Sequence, residues 1–165
     1  MVSDELRAKI DEVKRKFVGM VSEPTVLEVE RGAIKRFAQA VDDLNPLWID
    51  EEYAKKTKYG GVISIPGFFG WPVKPGPMFG AGPMAALLEE LSKIGFPNLL
   101  DGGIEYEFFI PVRPGDVLVS STKVADIYER VGRAGVSLFG VMETTYTNQN
   151  GDVVAKSRST LICRP

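Results

Sequence analysis

The second half of the chain is dominated by a hydrophobic period of two, which favours strands over helices. Three stretches show this alternation, GIEYEFFIPVRPGDVLVSSTKVADIY (103–128), AGVSLFGVMETTYTN (134–148) and DVVAKSRSTLICRP (152–165). The last two are joined through NQNGD, an Asn-Gly pair typical of a β-hairpin turn. The sequence therefore predicts sequential antiparallel strands, and it predicts a turn with strand ends around Arg113 and Asp116.

The first half of the chain is mainly helical in pattern, with one early strand over 26–29. An amphipathic helix capped by Ser3 or Asp4 is predicted near the N-terminus. A second helix follows the strand, and a third, more apolar helix that we expect to be buried precedes Gly95. The apolar positions of the three helices are Leu6, Ile10, Val13 and Phe17; Ile34, Phe37, Ala38 and Val41; and Met84, Leu87, Leu88, Leu91 and Ile94.

This order of elements predicts an α+β fold in which an antiparallel sheet curls around one hydrophobic helix. A length of 165 residues fits one domain over 1–165. We divide it into an N-terminal amphipathic helix (1–20) and a body (21–165).

Composition limits the partners and the chemistry. The 20 basic and 22 acidic side chains are interspersed, which argues against nucleic acid as a partner. With no histidine and a single cysteine, Cys163, the sequence predicts no metal site, no disulfide within the chain and a packed thiol. No apolar run approaches the roughly 20 residues that a membrane span needs, and acids and bases fill the N-terminus where a signal peptide needs an apolar core, so we expect a soluble protein that is not exported. The single cysteine fits a reducing cytoplasm. We expect no bound cofactor.

The stretch DDLNPLWIDEEYA (42–54) combines an acid, an amide, an Asn-Pro pair and a large aromatic between two predicted short helices. Asp43 and Asn45 are candidate catalytic residues. The same pattern is also a good turn sequence, in which short polar side chains bond neighbouring backbone groups. Because the chain has no histidine, a mechanism that needs an imidazole requires a second chain.

The segment 60–83 is rich in Gly, Pro and aromatic residues, which prevents a regular helix and predicts an apolar loop. This loop is either a pocket wall or a subunit interface, and the sequence leaves both open. Lys74 is an additional candidate for contact with a phosphate. The candidate lining residues are Gly67, Phe68, Phe69, Trp71, Met78 and Phe79.

Two long stretches resemble a known family. RGAIKRFAQAVDDLNPLWIDEEYAKKTKYGGVISIPGFF (31–69) is similar to the N-terminal segment of MaoC-like acyl dehydratases, which include (R)-specific enoyl-CoA hydratases and fatty acid synthase dehydratase domains. GGIEYEFFIPVRPGDVLVSSTKVADIYERVGR (102–133) and ETTYTNQNGDVVAKSRSTL (143–161) resemble the strand-rich half of that family. The resemblance implies a single hot dog fold and a partner that extends its sheet.

The active members of this family carry Asp-x-Asn-Pro-x-His, whose acid and imidazole activate a water for addition to an enoyl thioester. Here Asp43, Asn45 and Pro46 match, and Trp48 occupies the histidine position. An indole N–H donates a hydrogen bond but cannot act as a base near neutral pH. By the same resemblance, Gly67 matches the glycine whose backbone N–H polarises the thioester carbonyl, and the alternative is a loop glycine with a strained dihedral angle. For Trp48 two interpretations stay open: it closes the site or stacks on the ligand, or it is an aromatic residue packed in the interior after a turn.

The resemblance implies an accessory subunit of an enoyl-CoA hydratase or acyl dehydratase. Its substrate is a CoA or acyl-carrier thioester, and a homologous, histidine-bearing subunit supplies the Asp/His pair. Two alternatives remain open from the sequence. One is an autonomous acyl-thioester binding module, and the other is a thioesterase in which Asp43 activates water without histidine.

Overall fold

The computed structural model describes residues 3–74, 82–133 and 135–165. The elements are, in chain order, α1 (Asp4–Phe17), β1 (Thr25–Glu28), α2 (Arg31–Ala40), α3 (Pro46–Ile49), α4 (Glu51–Lys55), β2 (Trp71–Pro72), α5 (Pro83–Lys93), β3 (Asn98–Phe108), β4 (Val117–Gly132), β5 (Gly135–Thr147) and β6 (Val153–Arg164). None of these helices is long and apolar enough to cross a membrane.

The six strands form one antiparallel sheet in the order β2-β1-β4-β5-β6-β3. The hairpin predicted at NQNGD joins β5 to β6, and Asn148 Oδ1 accepts hydrogen bonds from the backbone N–H groups of Asn150 and Asp152. The turn predicted around Arg113 lies between β3 and β4. The Asp116 N–H donates to the Arg113 carbonyl at 3.1 Å and Gly115 has φ +93°, which are the features of a tight turn. The α+β prediction is confirmed.

The N-terminal helix forms as the sequence predicts. The Ser3 hydroxyl accepts a hydrogen bond from the Leu6 N–H at 3.2 Å, which identifies Ser3 as the cap. Lys14 reaches Glu129 on β4 at 2.9 Å. The buried face of α1, formed by Ile10, Val13 and Phe17, packs against α5 and one end of the sheet.

The apolar interior divides into two clusters at opposite ends of the sheet. Cluster 1 joins β1, α2, α3, the 63–69 loop and the β3–β4 turn to one end of the sheet. Its buried residues are Leu27, Val29, Ala33, Ile34, Ala38, Trp48, Ile63, Ile65, Phe68, Phe69, Val112, Leu118, Val154 and Ala155. Cluster 2 joins α1 and α5 to the other end of the sheet through Ile10, Val13, Phe17, Leu87, Leu91, Phe96, Val124, Ile127, Leu138, Met142 and Cys163.

Two expectations about the helices need correction. Only one face of α5 is buried, through Leu87 and Leu91, while Met84 and Leu88 are half-buried. Val41 is 51% exposed because α2 ends at Ala40, before the chain turns away from the core. Cys163 is a buried thiol, as predicted.

Strand β3 lies at one edge of the sheet, and only β6 pairs with it among the described strands. All 11 of its residues are exposed. Large apolar side chains are among them, namely Leu99, Leu100, Ile104, Tyr106 and Phe108. An unpaired apolar edge of this length is a template for pairing with another strand.

Candidate functional site

The loop that carries the predicted catalytic residues is held by its own polar groups. Asp43 Oδ1 accepts a hydrogen bond from the Asn45 N–H at 3.2 Å, and Asn45 Oδ1 caps α3 by accepting from the Leu47 N–H at 3.0 Å. The Asp43 N–H donates to the Ala38 carbonyl at 3.0 Å, which closes the end of α2. Both candidate side chains therefore shape the loop directly.

Trp48 lies in the short helix α3 and is 8% exposed. Its indole packs in cluster 1, the cluster that also contains Ile63 and Ile65. The Trp48 Nε1–H is buried and has no acceptor among the residues that the structure describes. A buried donor without an acceptor is costly, and this donor lies at the position for which the resemblance predicts a histidine in active relatives.

Trp48→Phe retains most of the apolar packing and removes this N–H. The lost unpartnered donor and the lost part of the ring have opposite effects, so we expect a change in the free energy of unfolding of less than about 1 kcal/mol. Trp48→Ala should lower it by about 3–5 kcal/mol because a large cavity is left. Urea unfolding measures both variants, and a loss of about 2 kcal/mol or more in Trp48→Phe would contradict an unpartnered N–H.

A tight turn displays the backbone of Gly67. The Phe68 N–H donates to the Ile65 carbonyl at 2.9 Å, with Pro66 and Gly67 at the two central positions. Gly67 has φ +92°, as position i+2 of a type II turn requires. Ser64 stabilises the turn by donating from its buried Oγ to the Phe68 carbonyl at 2.7 Å. The Gly67 N–H donates to no backbone carbonyl of the described chain.

A cavity of about 270 Å³ lies against this turn, between the 63–69 loop and the segment that follows β3. Its lining residues are Tyr59, Ile63, Ser64, Ile65, Pro66, Gly67, Phe68, Phe69, Phe108, Phe109, Ile110, Pro111 and Val112. Most of the lining side chains are apolar, and Gly67 is one of the lining residues. Such a cavity suits an apolar chain whose polar head meets a few fixed donors.

The structure brings only part of the predicted site together. Gly67, Phe68 and Phe69 line the cavity, whereas Asp43, Asn45 and Trp48 are absent from its described lining. Trp71 lies on the short strand β2 and is 57% exposed, with its ring 5.7 Å from that of Phe68. Met78 and Phe79 lie outside the described residues.

Sequence reasoning missed an aromatic group beside the cavity. Phe69 stacks on Tyr146 with ring centroids 3.9 Å apart, and its ring lies 5.8 Å from Tyr106 and 6.3 Å from Phe108. The period-two pattern placed Tyr106 and Phe108 on one face of β3, but only the register with β6 and β5 brings Tyr146 beside them.

The phenols of this group are uncharged donors. Burial raises the pKa of Tyr146, and the neighbouring Ser157 hydroxyl opposes this rise. Burial also raises the pKa of Tyr106. Because both pKa values lie above the ordinary tyrosine range, both side chains remain protonated at neutral pH.

The other candidate residues have structural contacts. Arg113 donates from Nη2 to the Tyr59 carbonyl at 2.6 Å, and its backbone N–H donates to Asp116 Oδ2 at 2.7 Å. These bonds fix the turn before β4 next to the cavity. Lys74 is exposed. Across the described ranges, no group of three or more Cys, Asp or Glu side chains is arranged to hold a metal ion.

The architecture identifies the fold class of the protein. A curled antiparallel sheet with a helix packed on it is the hot dog fold of MaoC-like dehydratases and (R)-hydratases. The family model described as "FAS1-like, dehydratase domain region" matches residues 16–157, and the chain belongs to that family.

Two proteins are similar to the chain in sequence over most of its length. A UPF0336 protein of Thermobifida fusca (strain YX) is 31% identical over 153 residues, which cover 92% of this chain and 94% of that protein. A probable enoyl-CoA hydratase alpha subunit of Thermomonospora curvata is 29% identical over 136 residues, which cover 78% of this chain and 43% of that subunit.

Solved structures confirm the fold. A chain of the ChsH1-ChsH2 complex from Mycobacterium tuberculosis superposes with a TM-score of 0.74 at 16% identity, covering 97% of this chain and 96% of that chain. A chain of the HadBC (3R-hydroxyacyl-ACP dehydratase) complex from the same organism gives a TM-score of 0.62 at 22% identity, covering 88% and 96%.

Proposed function

We propose that the chain is an accessory subunit of a hetero-oligomeric enoyl-thioester hydratase or acyl dehydratase. A homologous subunit with an intact Asp-x-Asn-Pro-x-His motif supplies the general acid and base. The observation that carries this proposal is Trp48, an 8%-exposed indole at the histidine position of a chain that contains no histidine. Proton transfer in hydration requires a titratable group near the reacting carbons, and an indole provides none.

In this proposal the chain contributes the wall of the acyl site. The apolar cavity of about 270 Å³ receives part of the acyl group. The Gly67 N–H projects from its turn without a backbone acceptor among the described residues and polarises the thioester carbonyl. Phe68 and Phe69 exclude water from this part of the site. The substrate is a CoA or acyl-carrier thioester.

The partner binds at the edge strand β3 and extends the sheet. Every residue of β3 is exposed, and the cavity lies at the end of this strand, where Phe108 and Phe109 form part of its wall. A subunit paired along β3 would therefore sit beside the cavity and bring its own loop to it. Exposed apolar residues on β3 suit burial in such an interface.

The relatives support an assembly of this kind. One sequence relative is named as the alpha subunit of a probable enoyl-CoA hydratase, and two structures with the same fold are the ChsH1-ChsH2 and HadBC complexes. These names describe those proteins. For the present chain they favour pairing with a homologous subunit.

The thioesterase alternative depends on Asp43 as the base. The Asp43 carboxylate accepts a hydrogen bond from its own loop and does not line the described cavity, so it is poorly placed to activate a water there. An autonomous binding module would use the same cavity without a partner. Release of free thiol would distinguish a thioesterase from the proposed subunit. Hydration on addition of a second subunit would distinguish the proposed subunit from a binding module.

The test measures two reactions of the purified chain with crotonyl-CoA and octenoyl-CoA. Hydration is monitored through the enoyl absorbance, and hydrolysis through the release of free thiol. For the chain alone we expect no hydration above background and no release of thiol. Addition of a histidine-bearing homologous subunit should raise hydration by about 10²–10⁴-fold, the usual contribution of general acid–base catalysis. Full hydratase activity of the chain alone would contradict the proposal. Thiol release that disappears in Asp43→Asn would favour the thioesterase.

A further inference from the structure

A row of charged side chains crosses the outer face of the sheet and ends at the edge strand β3. The register pairs Lys123 with Glu143, Glu143 with Arg158, and Arg158 with Glu105, one residue from each of β4, β5, β6 and β3. Paired residues of antiparallel strands point to the same face, so these four residues, the charge row, lie side by side. Met142, which precedes Glu143, is buried in cluster 2, so the charge row is on the face away from the core. Its charges alternate in sign, and its last member at the open edge is an acid.

Two acids at this edge lack an ion-pair partner in the described part of the chain. The carboxylate of Glu143 and the guanidinium of Arg158 already bind each other. Glu105 and Glu107 are exposed on the same face of β3. Within the described ranges neither glutamate forms an ion pair, although Glu107 lies opposite Lys156 in the register. The outer face of the edge strand is therefore acidic.

The inner face of the same part of β3 is apolar. Ile104, Tyr106 and Phe108 alternate with the two glutamates, and all three are exposed. The ladder with β6 is regular from Ile104 to Phe108, after the irregularity that follows Asp101. Burial of these three side chains would therefore set the register of a strand added at this edge.

A second copy of the chain does not fit the edge in that register. In a two-fold antiparallel pair that extends the sheet, all three apolar residues are matched when Tyr106 lies opposite itself and Ile104 lies opposite Phe108. The same register places Glu105 opposite Glu107 of the other copy, and it does so twice. A shift by two residues in either direction places one of the glutamates opposite its own copy. Like charges directly opposite each other destabilise a strand pair, so the edge opposes self-pairing.

We infer that the β3 edge selects a partner strand with basic side chains opposite Glu105 and Glu107 and rejects a second copy of this chain. The apolar face attracts any apolar strand, and the acids discriminate between strands. A lysine or arginine opposite Glu105 would continue the alternation of the charge row onto the partner. The inference rests on the proposed function, which places the homologous subunit at β3. It adds the chemistry that makes the pairing heteromeric.

The test introduces a basic edge into the chain itself. Glu105→Lys/Glu107→Lys reverses both charges, so each introduced lysine lies opposite a glutamate of the unchanged chain in the register above. Either protein alone should remain unpaired at β3, because acids face acids or lysines face lysines. Sedimentation of the equimolar mixture should show a heterodimer that is about 10- to 100-fold tighter than self-association of either protein, since two cross-strand pairs change from repulsive to attractive. Raising the ionic strength should weaken this heterodimer.

Glu107→Lys alone is a second, independent variant. In two copies of it, each remaining Glu105 lies opposite an introduced lysine, so this variant should self-associate about 10- to 100-fold more tightly than the unchanged chain. Glu12→Lys is the matched control, because Glu12 is exposed on α1 and its substitution changes the net charge equally. Self-association of Glu12→Lys should equal that of the unchanged chain.

Glu105→Gln/Glu107→Gln keeps the inference testable if the lysine variants do not fold. It removes the acids without placing lysines opposite Arg158 and Lys156 of β6. Loss of the repulsion should tighten self-association about 3- to 10-fold. Self-association equal to that of the unchanged chain would contradict the inference.

Two further results would overturn the inference. One is a mixture of the unchanged chain and Glu105→Lys/Glu107→Lys that forms no heterodimer. The other is a dimer of the unchanged chain that Ile104→Lys abolishes and Glu107→Lys does not tighten.

Hydration of octenoyl-CoA in the presence of a histidine-bearing homologous subunit is measured separately. If this subunit raises hydration while the unchanged chain pairs with itself through β3, the charge selection fails and the proposed function stands. If the designed heterodimer forms and the histidine-bearing subunit raises no hydration, the proposed function fails and the charge selection at β3 stands.

Discussion

Gly70→Ala is expected to lower the free energy of unfolding by about 4 kcal/mol or more, at the upper end of single substitutions. A Cβ at this position would lie 2.3 Å from the Glu28 carbonyl oxygen and 2.7 Å from its carbon, which are backbone atoms of β1. Gly70 also has φ +89°, where an L side chain adds strain. Relief of the clash requires Gly70 and the adjoining strand β2 to move away from β1, with which β2 pairs.

Gly60→Ala is the control for strain without the clash. Gly60 has φ +67°, and nothing lies within 4 Å of a Cβ built there. The expected loss is about 1–2 kcal/mol, the usual cost of the left-handed conformation. Urea unfolding of both variants gives the comparison. Similar losses in the free energy of unfolding for the two variants would show that the close contact between Gly70 and the Glu28 backbone does not limit the side chain at this position.

Ile104→Lys is expected to weaken the binding of the histidine-bearing subunit at least thirtyfold, or about 2 kcal/mol. Ile104 is 50% exposed on the edge strand β3, where a second strand would bury it. A lysine on a strand edge opposes pairing because its charge would lose water on association. Sedimentation of the mixed subunits measures the binding, and hydration should fall in parallel.

Val131→Lys introduces the same charge away from β3. Val131 is 64% exposed near the end of β4, and β5 and β6 separate β4 from β3. This variant should bind the partner as the unchanged chain does. Both variants should keep the free energy of unfolding within about 0.5 kcal/mol, because both positions are on the surface. Equal binding by Ile104→Lys and the unchanged chain would remove β3 from the interface.

Local features of the fold could be predicted from sequence because nearby residues determine them. Ser3 caps α1 and the Asn-Gly pair turns β5 into β6, since each depends on a few adjacent residues. The burial of α5 was overestimated, because the periodicity of Met84 and Leu88 does not reveal how much of the helix the sheet covers. The exposure of β3 depends on its place in the strand order, which the alternation of its residues does not give.

The candidate site was predictable only in part for the same reason. Gly67, Phe68 and Phe69 belong to one turn, so a sequence pattern could identify them as a group. Tyr106 and Tyr146 join them only through the register of three strands. Among the described residues Trp48 Nε1 has no acceptor, and this depends on tertiary packing that no sequence pattern contains. The local bonds of Asp43 and Asn45 agree with the turn interpretation of their motif, and their role in catalysis stays a prediction.

The most direct test of the central claim is to purify the tagged chain from its native host under mild conditions and to identify its stoichiometric partners by mass spectrometry. The account predicts a homologous subunit with Asp-x-Asn-Pro-x-His in a one-to-one ratio, and hydration of enoyl-CoA by the purified pair. Purification of the chain only with copies of itself, together with full hydratase activity of that assembly, would contradict the account.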